Sequence, residues 1–200
     1  MKIFQALLTL SLVSLPAVAQ TQLVRGEVDG IQNTANLFQL KCTTVRLTSA
    51  TLNLQGLHDA TRQNNMSLEM QVIDTFGNGT SLEVVSAVVV PRQLDMGNLR
   101  FGRAETWEIF AAPGSMIWSF VGAGNDTRYL PLGDAGTWIL GPSAVPFVSG
   151  PASAIGSLRF NITMPTIPAL TGAVFASQAI IQENGAFRIS NPECKEVRSN

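Results

Sequence analysis

Apolar and polar residues alternate with a period of two over most of this 200-residue chain. In SLEMQVIDTF, Leu68, Met70 and Val72 alternate with Glu69, Gln71 and Ile73; in LRFNITM, Leu158, Phe160 and Ile162 alternate with Arg159, Asn161 and Thr163. Each pattern predicts a half-buried antiparallel strand. SLEVVSAVVV and MIWSFVG are apolar on both faces, which predicts strands at the centre of a sheet packed between layers. Val45-Arg46-Leu47 and Leu52-Asn53-Leu54 have opposite phase, so a bulge or break is expected around Ser49-Ala50. Weak helical periodicity is confined to the first 19 residues. The expected fold class is therefore all-β, an antiparallel β-sandwich built either as one sandwich or as two packed β lobes.

Turn chemistry divides the strands. Gly77-Asn78-Gly79 follows the Leu68 strand, and Asn184-Gly185 precedes Phe187-Arg188-Ile189; both are signals for tight hairpins with positive φ. GAGNDTRYLPLGDAG and LGPSAVPFVSGPAS are rich in Gly, Pro, Ser and Ala, and predict loops carrying at most short strands. Pro91 to Asn98 reads as a junction between halves, with a lobe boundary in the region 91–105. No tandem repeat or low-complexity linker is visible.

The chain opens MKIFQALLTLSLVSLPAVAQ, with one cation, an apolar stretch, Pro16 and then Ala17-Val18-Ala19. This is the order of a secretory signal peptide, so residues 1–19 are read as a leader and 20–200 as the exported domain. An uncleaved signal anchor is the alternative. No Cys follows the cut, which argues against a lipid anchor. No later apolar run is long enough to span a membrane, so no insertion is expected once the leader is removed. Without Lys2, 12 basic residues face 14 acidic ones in dispersed positions, which removes the electrostatic footprint of a nucleic-acid or polybasic membrane partner. The expected location is secreted: periplasm, cell surface or extracellular.

Two cysteines remain, Cys42 and Cys194. In an oxidising compartment an even count favours a disulfide tying the start of the domain to its end; two free thiols are the alternative, and no Cys-x-x-Cys spacing suggests redox catalysis. The single histidine, His58, reads as an exposed loop residue. No Gly-x-Ser-x-Gly elbow accompanies it, and one histidine leaves the common zinc sets incomplete. Glu105 and Glu108 lie three apart on a strand and so point to opposite faces, which separates them as a carboxylate pair. Asp74, Asn78, Asp126 and Asp134 offer oxygen ligands without the spacing of a Ca²⁺ loop. No metal, cofactor or catalytic set is therefore expected. Trp107 and Trp118 read as core. Trp138 and Tyr129, in or beside the Gly-rich region, are the candidate ligand-binding residues, because exposed flat rings on a β-sandwich suit sugar stacking.

From about Phe110 onward the chain resembles an uncharacterised family of secreted bacterial β-domains. The resemblance is carried by Ala112-Pro113-Gly114-Ser115, Leu132-Gly133, Pro168-Ala169-Leu170-x-Gly172, Phe175-x-x-Gln178-Ala179 and Ser190-Asn191. It covers about half of the exported chain and implies a secreted β-sandwich with no activity to carry over. The ending Pro-Glu-Cys-Lys-Glu-Val departs from the family's simple apolar strand, consistent with a terminal disulfide. The resemblance to bacterial domains implies that the sequons at Asn65, Asn78, Asn125 and Asn161 are coincidences of an Asn/Thr-rich surface rather than occupied glycans. The same resemblance bears on Gln178, an amide inside an apolar strand: it is expected to be structural, satisfying loop or edge backbone groups. Three functions follow as expectations. The first is a non-catalytic exported domain with a structural, adhesive or protein-interaction role at the envelope or outside the cell; the second is a carbohydrate-binding module; the third is a secreted hydrolase with an unfamiliar site. The corresponding partner is a protein or a glycan.

Overall fold

A computed structural model of the chain describes residues 20–31 and 37–199. The leader expected over residues 1–19 lies outside them. Strands account for 57% of the structure and helix for 9%, which makes the protein all-β, with several antiparallel sheets packed together.

The first half curls into a barrel. Its strands are β1 (Gln22–Gly26), β2 (Val28–Gly30), β3 (Phe38–Leu40), β4 (Arg46–Thr48), β5 (Met66–Asp74) and β6 (Ser81–Pro91), with helix α1 (Leu54–Asn64) between β4 and β5. The strand order is β1-β5-β6-β4-β3-β2. Because only Glu27 separates β1 from β2, the two edges of this sheet are one bent strand, paired first with β5 and then with β3. All pairs are antiparallel except β4 with β6, which is parallel. Five strands thus close a partly open barrel with one helix, an architecture of the OB type. Val24, Leu40, Leu47, Leu68, Met70, Val72 and Leu82 fill it, none more than 2% exposed.

The helix was not expected, and its sequence explains why. Asn53 caps it, its Oδ1 accepting from the Gly56 N–H at 3.1 Å, and Asn65 ends it in the left-handed conformation at φ 52°. Between these signals Leu54 and Leu57 pack against the barrel core and the other inward positions include the polar His58 and Thr61, so the apolar stripe is too thin to dominate a period analysis. The opposite phase of Leu52-Asn53-Leu54 marks the passage from strand to helix, not a bulge within a strand. His58 consequently sits half-buried on a helix and not in an exposed loop.

A second correction concerns SLEVVSAVVV. Its first half is central, but β4 pairs only with Ser81–Glu83; beyond that point Val85, Val88 and Val89 are exposed, Val88 by 64%. Two apolar faces here do not mean two covering layers.

The second half contains β7 (Leu94–Met96), β8 (Leu99–Arg100), β9 (Ala104–Phe110), β10 (Met116–Ala123), β11 (Thr127–Pro131), β12 (Thr137–Leu140), β13 (Val145–Pro151), β14 (Ser157–Thr163), β15 (Val174–Glu183), β16 (Ala186–Ile189) and β17 (Glu193–Arg198). One sheet runs β13-β10-β15-β17-β8, with β16 also on β15; a smaller one runs β14-β9-β7. They face each other as a sandwich. Leu94 and Ile109 of the small sheet pack with Ile117, Ala179 and Ile181 of the large one, while Met96, Trp107 and Val197 form the neighbouring cluster. The β15–β16 turn places Asn184 and Gly185 at φ 51° and 81°, the conformation that makes Asn-Gly suitable there.

The hairpin β11–β12 leaves this sandwich and lies against the barrel. Ile139 of β12 is buried within the barrel's core cluster, with Tyr129 of β11 packed at its edge. The two lobes are therefore interlocked by apolar side chains as well as joined by the Arg92-Gln93 connection.

Candidate functional site

The interface between the lobes contains two kinds of chemistry: a charged lock on one side and a cleft walled mainly by amides and hydroxyls elsewhere.

The lock starts from a tight turn. Lys41 to Thr44 link β3 to β4, with Cys42 in the left-handed region at φ 67° and the Thr43 Oγ1 donating to the Leu40 carbonyl at 2.7 Å. Opposite lies β17, pinned to β15 from Ser177↔Glu193 to Val174↔Glu196. Cys42 and Cys194 form a disulfide with Cα atoms 5.6 Å apart. Cys42 thus occupies a turn, and Cys194 lies within the last strand and not beyond it. The preceding residues repeat the cross-link: the Lys41 Nζ stands 3.1 Å from Glu193 Oε1 and 2.9 Å from Glu27 Oε2. Arg92 Nη2 is 2.8 Å from Glu27 Oε1, and its Nη1 is 3.3 Å from Glu193 Oε1. The Glu27 Oε1 makes no hydrogen bond of good angle, so its contact with Arg92 is an ion pair only. Glu193 is fully buried. Burial lifts its carboxyl above the usual carboxylate range, Lys41 opposes that rise, and the nearby Glu27 charge adds to it. His58 is also placed here, its Nδ1 2.8 Å from the Val28 carbonyl oxygen. It lines a cavity of about 360 Å³ with Glu27, Lys41 and Arg92, but these charged groups already face one another.

Gln178 holds the second tie between the lobes. Its Oε1 accepts from the Ile139 N–H at 2.9 Å, and its Nε2 donates to the carbonyls of Thr137 at 2.8 Å and Ser190 at 3.1 Å. The side chain therefore pairs with β12 in the manner of a neighbouring backbone. Its position coincides with a gap in the sheet: β17 pairs with β15 up to Ser177, and β16 takes over at Ile180. Ser190 and Asn191 complete the repair, Ser190 Oγ accepting from the Ala179 N–H, and Asn191 Oδ1 accepting from the N–H groups of Gln93 and Leu94. All three polar side chains, Gln178, Ser190 and Asn191, are fully or almost fully buried.

The cleft lies where β11 crosses the barrel. A cavity of about 440 Å³ is lined by Gln20, Gln22, Asn78, Tyr129 and the backbone of the Gly77–Gly79 hairpin. On one side, sharing Gln20, Gln22 and Pro131, lies a second cavity of about 430 Å³ that includes Gln71 and Asp134. On the other, sharing Asn78, Gly79 and Tyr129, lies a third of about 340 Å³ bordered by Thr43, Thr44, Thr80, Thr127 and Arg128. Tyr129 is the saddle between two of them. Its hydroxyl donates to Gln22 Oε1, and burial pushes its pKa up to about 12, so it remains a neutral phenol at any physiological pH. Gly79 is required there: at φ 71° a Cβ would stand 2.8 Å from the tyrosine ring.

The sequence-derived candidates are thus separated. Tyr129 lines the cleft but is half-buried against the hairpin, not a free flat ring. Trp138 is half-buried and stacks edge-on against Phe120 at a centroid distance of 5.1 Å. Trp118, expected in the core, is instead half-buried on the face of the large sheet turned away from it, 6.3 Å from the exposed Phe187. Asp74 and Asp126 serve their own loops: Asp74 accepts from the N–H groups of Phe76, Gly77 and Gly79, and the Ser143 N–H, 2.9 Å from Asp126 Oδ2, holds that carboxyl below its usual range. Glu108 is paired with Arg159 at 2.7 Å. No group of three metal-ligating side chains is found among the described residues, and no helix among them is long and apolar enough to cross a membrane. The cleft amides Gln20, Gln22 and Gln71 escaped sequence reasoning because they are scattered along the chain and share no motif with one another or with Asn78, which the sequence marked only as a turn residue and oxygen donor. No family model, no curated protein and no solved structure matches this chain.

Proposed function

We propose that this is a non-catalytic, exported protein with a structural, adhesive or protein-interaction role at the cell envelope or outside the cell. One observation carries the reading. The side chains with reactive chemistry are committed to holding the molecule together: His58 to the Val28 carbonyl, Asp74 to its hairpin, Glu27, Glu193, Lys41 and Arg92 to one another around the disulfide. A general acid or base needs a proton-transfer position open to a substrate, and these groups face protein. The leader-like first 19 residues, the disulfide and the resemblance of the second half to secreted bacterial β-domains support export. Fractionation followed by mass spectrometry tests it: the expected product is an envelope or extracellular chain beginning at Gln20, and a cytoplasmic chain retaining Met1 would overturn it. Turnover of a generic ester or glycoside that disappears in His58→Ala would establish the hydrolase instead.

The cleft favours a second reading, carbohydrate binding, since its walls supply neutral hydrogen-bonding groups around an aromatic ring.

A further inference from the structure

Resting on the carbohydrate reading, the geometry points to the ligand class and the place: a neutral, linear oligosaccharide of about three sugar units, laid along the three joined cavities with Tyr129 between the first and the third.

Three features select this ligand. First, the cavities share walls in series, Gln20 and Gln22 between one pair, Asn78 and Tyr129 between the other, so the space is a trough and suits a chain. Second, its polar side chains are mainly amides and threonine hydroxyls. Gln20 and Gln71 offer donor and acceptor side by side, which matches the vicinal hydroxyls of a sugar, while Gln22 and Asn78, whose oxygens accept from Tyr129 and Thr80, present their amide N–H donors. Third, the cleft carries few charges, of both signs and spread apart: Asp74, whose acceptor positions are taken by three backbone N–H groups, on the first cavity, Asp134 on the second and Arg128 on the third. A polyanion would find one cation against two carboxylates, and a basic peptide two separated carboxylates with a guanidinium beside them. An apolar peptide would leave the amides unpaired, a loss that ordinarily exceeds what a small apolar contact returns. Tyr129, kept as a phenol with its hydroxyl engaged by Gln22, offers a ring edge to sugar C–H groups without adding charge.

The test is calorimetric titration of the exported chain with cellohexaose, maltohexaose, xylohexaose and chitohexaose, then with the di- to pentasaccharides of whichever binds. Expected is binding of at least one, an affinity that rises up to about the trisaccharide and then levels, and a tenfold or greater loss in Gln71→Ala and in Asn78→Ala. Gln71 is exposed on β5, so its variant leaves the fold intact and a lost affinity cannot be charged to unfolding. Trp138→Ala should bind as the unmodified chain does. Binding that survives both amide variants but disappears in Trp138→Ala or Trp118→Ala would overturn the cleft while leaving carbohydrate binding standing. Tighter binding of heparin or of an oligonucleotide than of any neutral glycan would overturn the ligand class. Absence of binding to all four hexasaccharides at millimolar concentration would overturn both this inference and the carbohydrate reading, and leave the structural or protein-interaction role.

Discussion

The barrel and the sandwich are both made of strands, yet they are specified in different ways. The sandwich is built on long ladders: β10 and β15 pair over eight consecutive residues, and β9 and β14 over seven. Each such strand carries its own two-residue period and announces its inner face locally. The barrel has one such ladder, β5 with β6, but closes through segments of three residues, β2, β3 and β4, a parallel pairing, and a strand that serves two neighbours at once. Three residues are too few to display a period. What specifies the barrel beyond β5 and β6 is closure itself, together with one helix and the turn that carries Cys42. The difference implies that the sandwich is held by its ladders, while the barrel depends more on its attachments to the sandwich.

The largest expected effect breaks those attachments. Opening the Cys42–Cys194 bond releases a loop of 152 residues, which by chain entropy removes about 5 kcal/mol at most. Two probes separate the lobes, because all three tryptophans belong to the second half while α1 lies in the first. In oxidised protein, denaturation followed by tryptophan fluorescence and by helical circular dichroism should coincide. In Cys42→Ala or in reduced protein the helical signal should be lost first, and the double variant should add little to either single one. Coincident curves after reduction would show that the barrel needs no such support.

A smaller effect is expected at the amide tie. Gln178→Leu keeps the volume roughly but leaves the Ile139 N–H and the carbonyls of Thr137 and Ser190 without their partner. Each buried unsatisfied group costs about 1–3 kcal/mol, so a loss of about 3 kcal/mol is expected in the unfolding free energy from denaturant titration. Asn161→Ala, an exposed amide on β14, should cost about 0.5 kcal/mol or less. Equal losses at the two positions would remove Gln178 from the account of how the lobes are joined.

The smallest effect is a slope. Glu193 binds its proton more tightly in the folded chain than in the unfolded one, so between the ordinary carboxylate range and its raised value the native state holds more protons. The stability contributed by this group is then full below that interval and is lost as pH rises through it. Subtracting the pH profile of Glu193→Gln from that of the unmodified protein should reveal this fall. A difference that rises with pH would mean that Lys41 and Arg92 outweigh burial.

How much of this was legible follows from the same contrast. The all-β class, the Asn184-Gly185 hairpin and the Cys42–Cys194 bond could be read from residues alone, because alternation, turn chemistry and a lone cysteine pair each act locally or by count. Helix α1 was hidden because Leu54 and Leu57 alternate inward with the polar His58 and Thr61. The apolar end of β6 was misread because the sequence records hydrophobicity, not whether a neighbour strand stops at Glu83. Of the cleft, Tyr129 was legible as a ligand-binding ring, and Asp74, Asn78 and Asp134 only as isolated oxygen donors. The other walls come from Gln20, β1 and β5, and nothing in their spacing tells that β11 will fold across them.

The disulfide also sets an order of events. Its second cysteine lies in the last strand, so a chain emerging from its N-terminal end can curl the barrel long before the partner of Cys42 is present. Until then Lys41 has Glu27 but not Glu193, and Ile139 arrives earlier than either anchor of β17. Completion therefore waits for the final strand to dock between β15 and β8, and one insertion delivers the carboxylate, the thiol and the sheet edge together. A chain cut short before Glu193 would retain the sequence of every barrel strand and lack the means of fastening them.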